Sequence, residues 1–206
     1  FAVVAGAVGA GLDSIIIIIL GFANLLADGF AMSIGAYLSA KSESDNFKKY
    51  KEKEYWEIEN MRESEVEEVR EIFTAKGFKD ELLEKIVDVI TSDKDRWVDV
   101  MMKEELGMLE NDKSPWRIGL ATYTSFILIG VVPLMIYVID YIKDLQINLF
   151  VYSSVLTALG FILIGGLKAY VNQTKILKGI SETLLLGAIA ALVAYFVGDL
   201  LEQLIR

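Results

Sequence analysis

No cysteine and no histidine occur in the 206 residues, and proline occurs only twice. Without cysteine there is no disulfide, no thiolate metal site and no cysteine nucleophile. Without histidine there is no imidazole ligand, and the commonest general base is missing. Any metal must then be held by carboxylates, carbonyls, amides or thioethers. Positive charge is also scarce: 20 Lys and Arg against 29 Asp and Glu give a formal net charge of −9. That balance argues against nucleic acid as a partner, because phosphate binding needs clustered Lys and Arg. There is no nucleophile–base set and no phosphate loop, so an enzyme reading has little support.

What is present is apolar and segregated. The chain is 54% hydrophobic, above the roughly 45–50% of ordinary soluble domains. Residues 41–113 hold 14 of the basic and 22 of the acidic side chains, a net of −8, which leaves −1 for everything else. The flanks are long apolar runs. Two solvents are implied, water for the acidic block and lipid for the flanks.

Four segments reach the roughly 20 apolar residues that cross a bilayer: about Ser14–Ser39, Ile118–Ile139, Ile147–Leu167 and Ile180–Leu201. Phe1–Gly11 is apolar and rich in small residues but too short to span, and it lacks the basic start of a signal peptide. It reads as the end of a helix that begins before Phe1, which makes five spans. The expected fold is therefore all-α, a polytopic membrane helix bundle with its first span truncated. A soluble helical insert lies between spans 2 and 3. The domains read as 1–40 (spans 1 and 2), 41–114 (insert) and 115–206 (spans 3–5). Lys168, Lys175 and Lys178 in the last connection should face the cytoplasm, which puts the insert on the same side.

Within the insert, Phe47–Phe73 lacks Gly and Pro and is rich in helix formers. Ser64 and Glu67 have capping-box spacing, so a break near Met61–Ser64 is expected. Lys76-Gly77-Phe78 is a stop signal. Asp80–Ile90 is amphipathic, with Leu82, Leu83, Ile86, Val87 and Ile90 on one side. Ser92–Leu109 gives another helix, and Ser114-Pro115 opens the next span at its first turn.

Three constellations could carry chemistry. At about 100° per residue, Glu54, Glu57, Met61, Glu65 and Glu68 share a stripe about 80° wide if the helix is continuous. The i, i+3 pairs Glu54/Glu57 and Glu65/Glu68 let two oxygens converge on one cation. An acidic helix is more often only a solvated face, so spacing alone leaves both readings open. Second, Met101 and Met102 can face one point with Glu105, although a methionine pair on an amphipathic helix is more often core filler. Thioether with carboxylate suits Fe²⁺ better than Mg²⁺ or Ca²⁺. Third, Asn24, Asp28 and Met32 share one face of the second span. A carboxylate at membrane depth is a functional-site hypothesis by default, and burial there would raise its pKa so that it could trade a proton for a cation. Gly160, Gly165, Gly166, Gly187 and Gly198 read as close-packing positions.

The stretch GFANLLADGFAMSIGAYLSAKSE (Gly21–Glu43) resembles the second span of the vacuolar iron transporter family. WVDVMMKEELGM (Trp97–Met108) is similar to that family's third insert helix, the glutamate pairs match in spacing, and Ile180–Leu201 resembles its last span. The resemblance implies a homodimer of five-span subunits that moves cytosolic Fe²⁺, with Mn²⁺ as a second substrate, in exchange for protons. It implies metal binding through Glu54, Glu57, Glu65, Glu68, Met101, Met102 and Glu105, with Asn24 and Met32 on the translocation path. Zn²⁺ or Co²⁺ would serve as surrogate ions. The membrane would be vacuolar or plasma membrane according to organism. This chain departs from many members in having Ala36 where they have Glu, and from some in having Asn24 where they have Glu. Competing readings are a Mn²⁺-preferring transporter of the same fold, and a membrane-anchored metal buffer or sensor without transport.

Overall fold

The structure, a computed structural model, describes residues 1–205. Among them there is no strand; the chain is a succession of helices. These are α1 (Ala2–Gly9), α2 (Ser14–Asn60), α3 (Arg62–Ala75), α4 (Asp80–Thr91), α5 (Lys94–Val100), α6 (Pro115–Gly130), α7 (Val132–Lys143), α8 (Leu149–Val171) and α9 (Ile176–Ile205). A single π-helical turn, Met101–Glu105, continues from α5. Among the described residues, three helices are long and apolar enough to cross a membrane (α2, α8 and α9), and a fourth span is reached if α6 and α7 are counted as one. Two compact units result, one from residues 36–118 and one from residues 1–35 with the chain from Gly119 onward.

In the second of these units, small residues let backbones touch. A Cβ on Gly165 would come within 2.7 Å of the Gly179 oxygen, and one on Gly179 within 2.6 Å of the Gly165 oxygen, so α8 and α9 cross at their backbones. At the other end of α9, a Cβ on Gly198 would overlap the Gly6 carbonyl of α1. This is the close approach that membrane helices use where lipid removes the hydrophobic drive to associate. Gly187 meets the Phe161 ring, whereas Gly160 and Gly166 face open space and do not serve the packing expected of them. Gly198→Ala should therefore cost about 1–3 kcal/mol by overpacking. Gly160→Ala should be neutral or slightly stabilising. Thermal denaturation of both variants in detergent checks this; equal losses would remove the α1–α9 contact as the cause.

The span expected over Ile118–Ile139 is broken. α6 ends at Gly130, and α7 leaves at 46°. Pro133 is the cause, since it has no N–H and its ring clashes with the carbonyl four residues earlier. The buried Ser153 hydroxyl of α8 donates to the Pro133 carbonyl at 2.8 Å and anchors the bend. Around it, Val4, Ile17, Leu25, Leu134 and Tyr137 form a core. Much of the rest of this unit's apolar surface is exposed, as on Ile19, Leu163 and Phe196. That is the surface a lipid solvent requires.

The 36–118 unit is built on a different logic. Its core joins Ile58 of α2, Val69 of α3, Leu83, Val87 and Ile90 of α4, Trp97 and Val98 of α5, and Met101 and Met102. Leu82 is exposed rather than part of that face. α2 stops at Asn60, whose side-chain amide donates to the Trp56 carbonyl at 2.7 Å. Met61 leaves helical geometry (φ −130°, ψ 34°), and α3 restarts at Arg62 without a side-chain cap. Ser64 thus lies inside the first turn, and the expected capping box does not form; Glu67 pairs with Arg70 instead. After α3, Gly77 takes φ +98°, a left-handed conformation that stops the helix. α5 begins at Lys94 rather than Ser92, because the Asp93 side chain accepts from the Arg96 N–H at 2.7 Å.

Candidate metal-collecting site

α2 carries an apolar face through Phe47, Tyr50 and Ile58, and α3 continues one through Val69 and Phe73. Glu54 stands four residues before Ile58, and Glu65 four residues before Val69. Both therefore occupy core positions of their helices. The structure buries them: Glu54 is 2% exposed and Glu65 4%. One oxygen of each, Oε2, is buried with no hydrogen-bond partner. An unpaired buried carboxylate is costly unless it is protonated or meets a cation.

Electrostatics binds the set together. Burial pushes the Glu54 carboxyl up to about 7, helped by the negative charges of Glu105, Glu57 and Glu68. Burial likewise raises Glu65 to about 7, with Glu68, Glu54, Glu57 and Glu105 adding to it. Glu105 is exposed, yet desolvation and the charges of Glu68 and Glu57 raise it too. All five glutamates singled out in the sequence thus lie within one another's fields. Glu57 and Glu68 are half-buried, and the Lys53 ammonium holds Glu57 at 2.8 Å.

The stripe is not one continuous helical face. The break at Met61 places Glu54 and Glu57 on one helix and Glu65 and Glu68 on the next, and Met61 itself is exposed. Two short helical faces bring the pairs together in place of one long one. Among the described residues, no three carboxylates stand together as a formed ion site. The glutamates are near enough to repel but are not drawn into a coordination shell.

Met101 and Met102 are fully buried, at 0% and 1% exposure. Consecutive residues on an α-helix point about 100° apart, so one would ordinarily face outward. The π turn widens the helix here, with the Leu106 N–H reaching back five residues to the Met101 carbonyl at 3.1 Å. Such turns recur at functional sites. α3 packs on this turn, which sets both thioethers in the core that also holds Ile58 and Val69. The π turn has no sequence signature and was not foreseen. Nor was Arg62, whose guanidinium lies over the buried Trp97 ring, 4.9 Å from its centre, and holds the restart of α3 against α5.

In the other unit, the Asn24 amide donates to Asp28 at 2.6 Å. Both residues line a cavity of about 200 Å³ with Phe1, Gly21, Phe126 and Pro133. Met32, one turn on, lines a larger cavity of about 660 Å³ at the α6–α7 bend, with Thr122, Ser125 and Thr157. Asp28 and Met32 are exposed on the single chain.

The family model described as VIT family matches residues 1–199. A vacuolar iron transporter of Toxoplasma gondii is 34% identical over 214 residues, covering 100% of this chain and 70% of that protein. Vacuolar iron transporter 1 of Eucalyptus grandis is 33% identical over 198 residues, covering 95% of this chain and 78% of that protein. Vacuolar iron transporter 1 of Arabidopsis thaliana is 31% identical over 207 residues, with 98% and 80% covered.

Proposed function

This chain belongs to the VIT family, whose members are transporters and not enzymes, and from that premise we propose that it carries Fe²⁺ out of the cytosol in exchange for protons. Residues 41–114 act as a water-facing cytoplasmic insert that collects the ion. Residues 1–40 and 115–206 form the membrane bundle, in which α1 contributes part of a fifth span. The Lys168–Lys178 connection sets the orientation by its positive charge. The working unit is a homodimer.

One observation carries the reading. Two buried glutamates, each with an unpartnered oxygen, stand in mutual repulsion in the unit whose core holds two buried methionines. A divalent cation removes the repulsion and supplies the missing partner. Glu54, Glu57, Glu65, Glu68 and Glu105 would offer oxygens, and Met101 and Met102 thioether sulfur. That mixture favours a borderline ion such as Fe²⁺, with Mn²⁺ next, over Mg²⁺ and Ca²⁺. Drawing the two pairs onto one ion would turn on Met61, where the helix is interrupted.

The membrane path uses Asn24, Asp28 and Met32. Met32 offers a soft ligand, and Asp28 a carboxylate oxygen for the passing cation. Proteoliposomes loaded with an Fe²⁺-quenched dye test this. Uptake should require an opposed pH gradient and fall about tenfold or more in Met32→Ala, as expected for loss of a direct ligand. Uptake indifferent to the gradient would remove the antiport step. Metal binding without any flux would replace transport by buffering, and competition by Mn²⁺ at equal concentration would shift the preferred substrate.

A further inference from the structure

The glutamate set contains a cation that neither the charge count nor the stripe geometry singled out. Lys53 precedes Glu54 and reaches Glu57 one turn later, Nζ to Oε2 2.8 Å. Its charge also acts on Glu54 and on Glu105. Other lysines of the same unit are engaged elsewhere: Lys51 of α2 with Glu110, Lys76 after α3 with Glu104, Lys94 of α5 with Glu59 and Lys103 of the π turn with Asp99.

We propose that Lys53 is a built-in counter-cation, holding Glu57 while the site is free of metal and giving way to an entering divalent ion. The proposal rests on the metal-collecting reading of the same glutamates. Its geometry suits a competitor rather than a brace. The Lys53 side chain is 55% exposed against 18% for Glu57, so the lysine is the solvent-facing partner of the pair. Lysine N-terminal to glutamate at i, i+4 is the weaker orientation of a helical ion pair, so helix stability gives little reason for it. A compact, strongly hydrated ammonium on a flexible stem also leaves a carboxylate more easily than a planar guanidinium, which grips it with two hydrogen bonds.

Two consequences follow from displacing such a cation. Lys53 sets a threshold: a monovalent ion cannot outbid it, whereas a divalent ion that several carboxylates share can. The displaced ammonium remains near the bound ion and repels it, which favours onward release over tight storage. Both effects weaken affinity relative to the same site without Lys53.

Co²⁺ binding to the full-length protein in detergent, read from its visible absorption, tests this. Lys53→Met keeps the length and loses the charge. It should bind Co²⁺ about fivefold more tightly than wild type, the equivalent of a partly exposed ion pair worth about 1 kcal/mol. The gain should shrink between about 50 mM and 500 mM salt as screening grows. Lys53→Arg should bind no more tightly than wild type. Equal or weaker binding by Lys53→Met, with wild-type helix content and with wild-type Co²⁺ binding still lost in Glu54→Gln, would overturn the role of Lys53 and leave the site standing. Absence of Glu54-dependent Co²⁺ binding in wild type and variant alike would overturn the site, and the proposal with it.

Discussion

Glu54→Gln combined with Glu65→Gln should make the metal-free protein more stable at pH 8 while weakening Fe²⁺ binding by more than about 100-fold. Both changes have one source. The two carboxylates sit in core positions with unpartnered oxygens and negative neighbours, so their charge opposes folding. Glutamine keeps the shape and removes the charge. The gain is partly offset because a buried amide donor without a partner costs about 1–3 kcal/mol. A net rise of about 1–2 kcal/mol at pH 8 is expected, seen as a higher Tm in chelator. The affinity loss follows from removing two direct ligands, since even outer-shell partners are worth about 10–100-fold each. At pH 5 the stability gain should vanish, because both glutamates are then already neutral. A double variant less stable than wild type at pH 8 would mean that burial of charge is not the strain in this site.

The second large effect is on pH. Glu54 and Glu65 are raised from 4.5 to about 7 by burial and by their neighbours. A raised folded-state pKa contributes stability that is present below the unfolded value and lost as pH rises through the folded one. Metal-free protein should therefore lose a few kcal/mol between about pH 4.5 and 7 from these two groups. Divalent metal should restore it above pH 7. Binding has the opposite slope. An ion that displaces up to two protons gains affinity steeply below pH 7, about 30-fold from pH 6 to 7, and little above. Calorimetry in buffers of different ionisation enthalpy would count the protons released. Zero release at pH 6.5 would exclude these glutamates as ligands.

Much of this was legible before any coordinates. Long apolar runs and the confinement of acidity to residues 41–113 are matters of composition, and lipid and water sort them without reference to tertiary contacts. The stop at Gly77 and the start at Pro115 are local, because backbone geometry at those residues leaves few alternatives. Even the burial of Glu54 and Glu65 was within reach. They interrupt apolar faces at the spacing of Ile58 and Val69, a sign hidden by counting acidic residues against one another instead of against the core.

Other features depended on distant parts of the chain. The bend at Val131 follows from Pro133, but its anchor is Ser153, twenty residues away. Gly160 and Gly166 are as permissive as Gly165 and Gly198, and only the neighbouring helix decides which of them matter.

The sequence by itself determined that this protein has membrane helices, an acidic helical segment and a ligand set limited to oxygen and thioether, because residue types and their order suffice for solvent preference and donor chemistry. The tertiary structure decided which donors meet. The helix is interrupted at Met61, which sets Glu54 and Glu57 on one helix and Glu65 and Glu68 on the next, and the π turn carries both methionines inside. Burial leaves one oxygen of Glu54 and one of Glu65 without a hydrogen-bond partner, beside the Lys53–Glu57 pair. Those outcomes turn on non-local contacts and on the desolvation of charge, neither of which can be read along one helix.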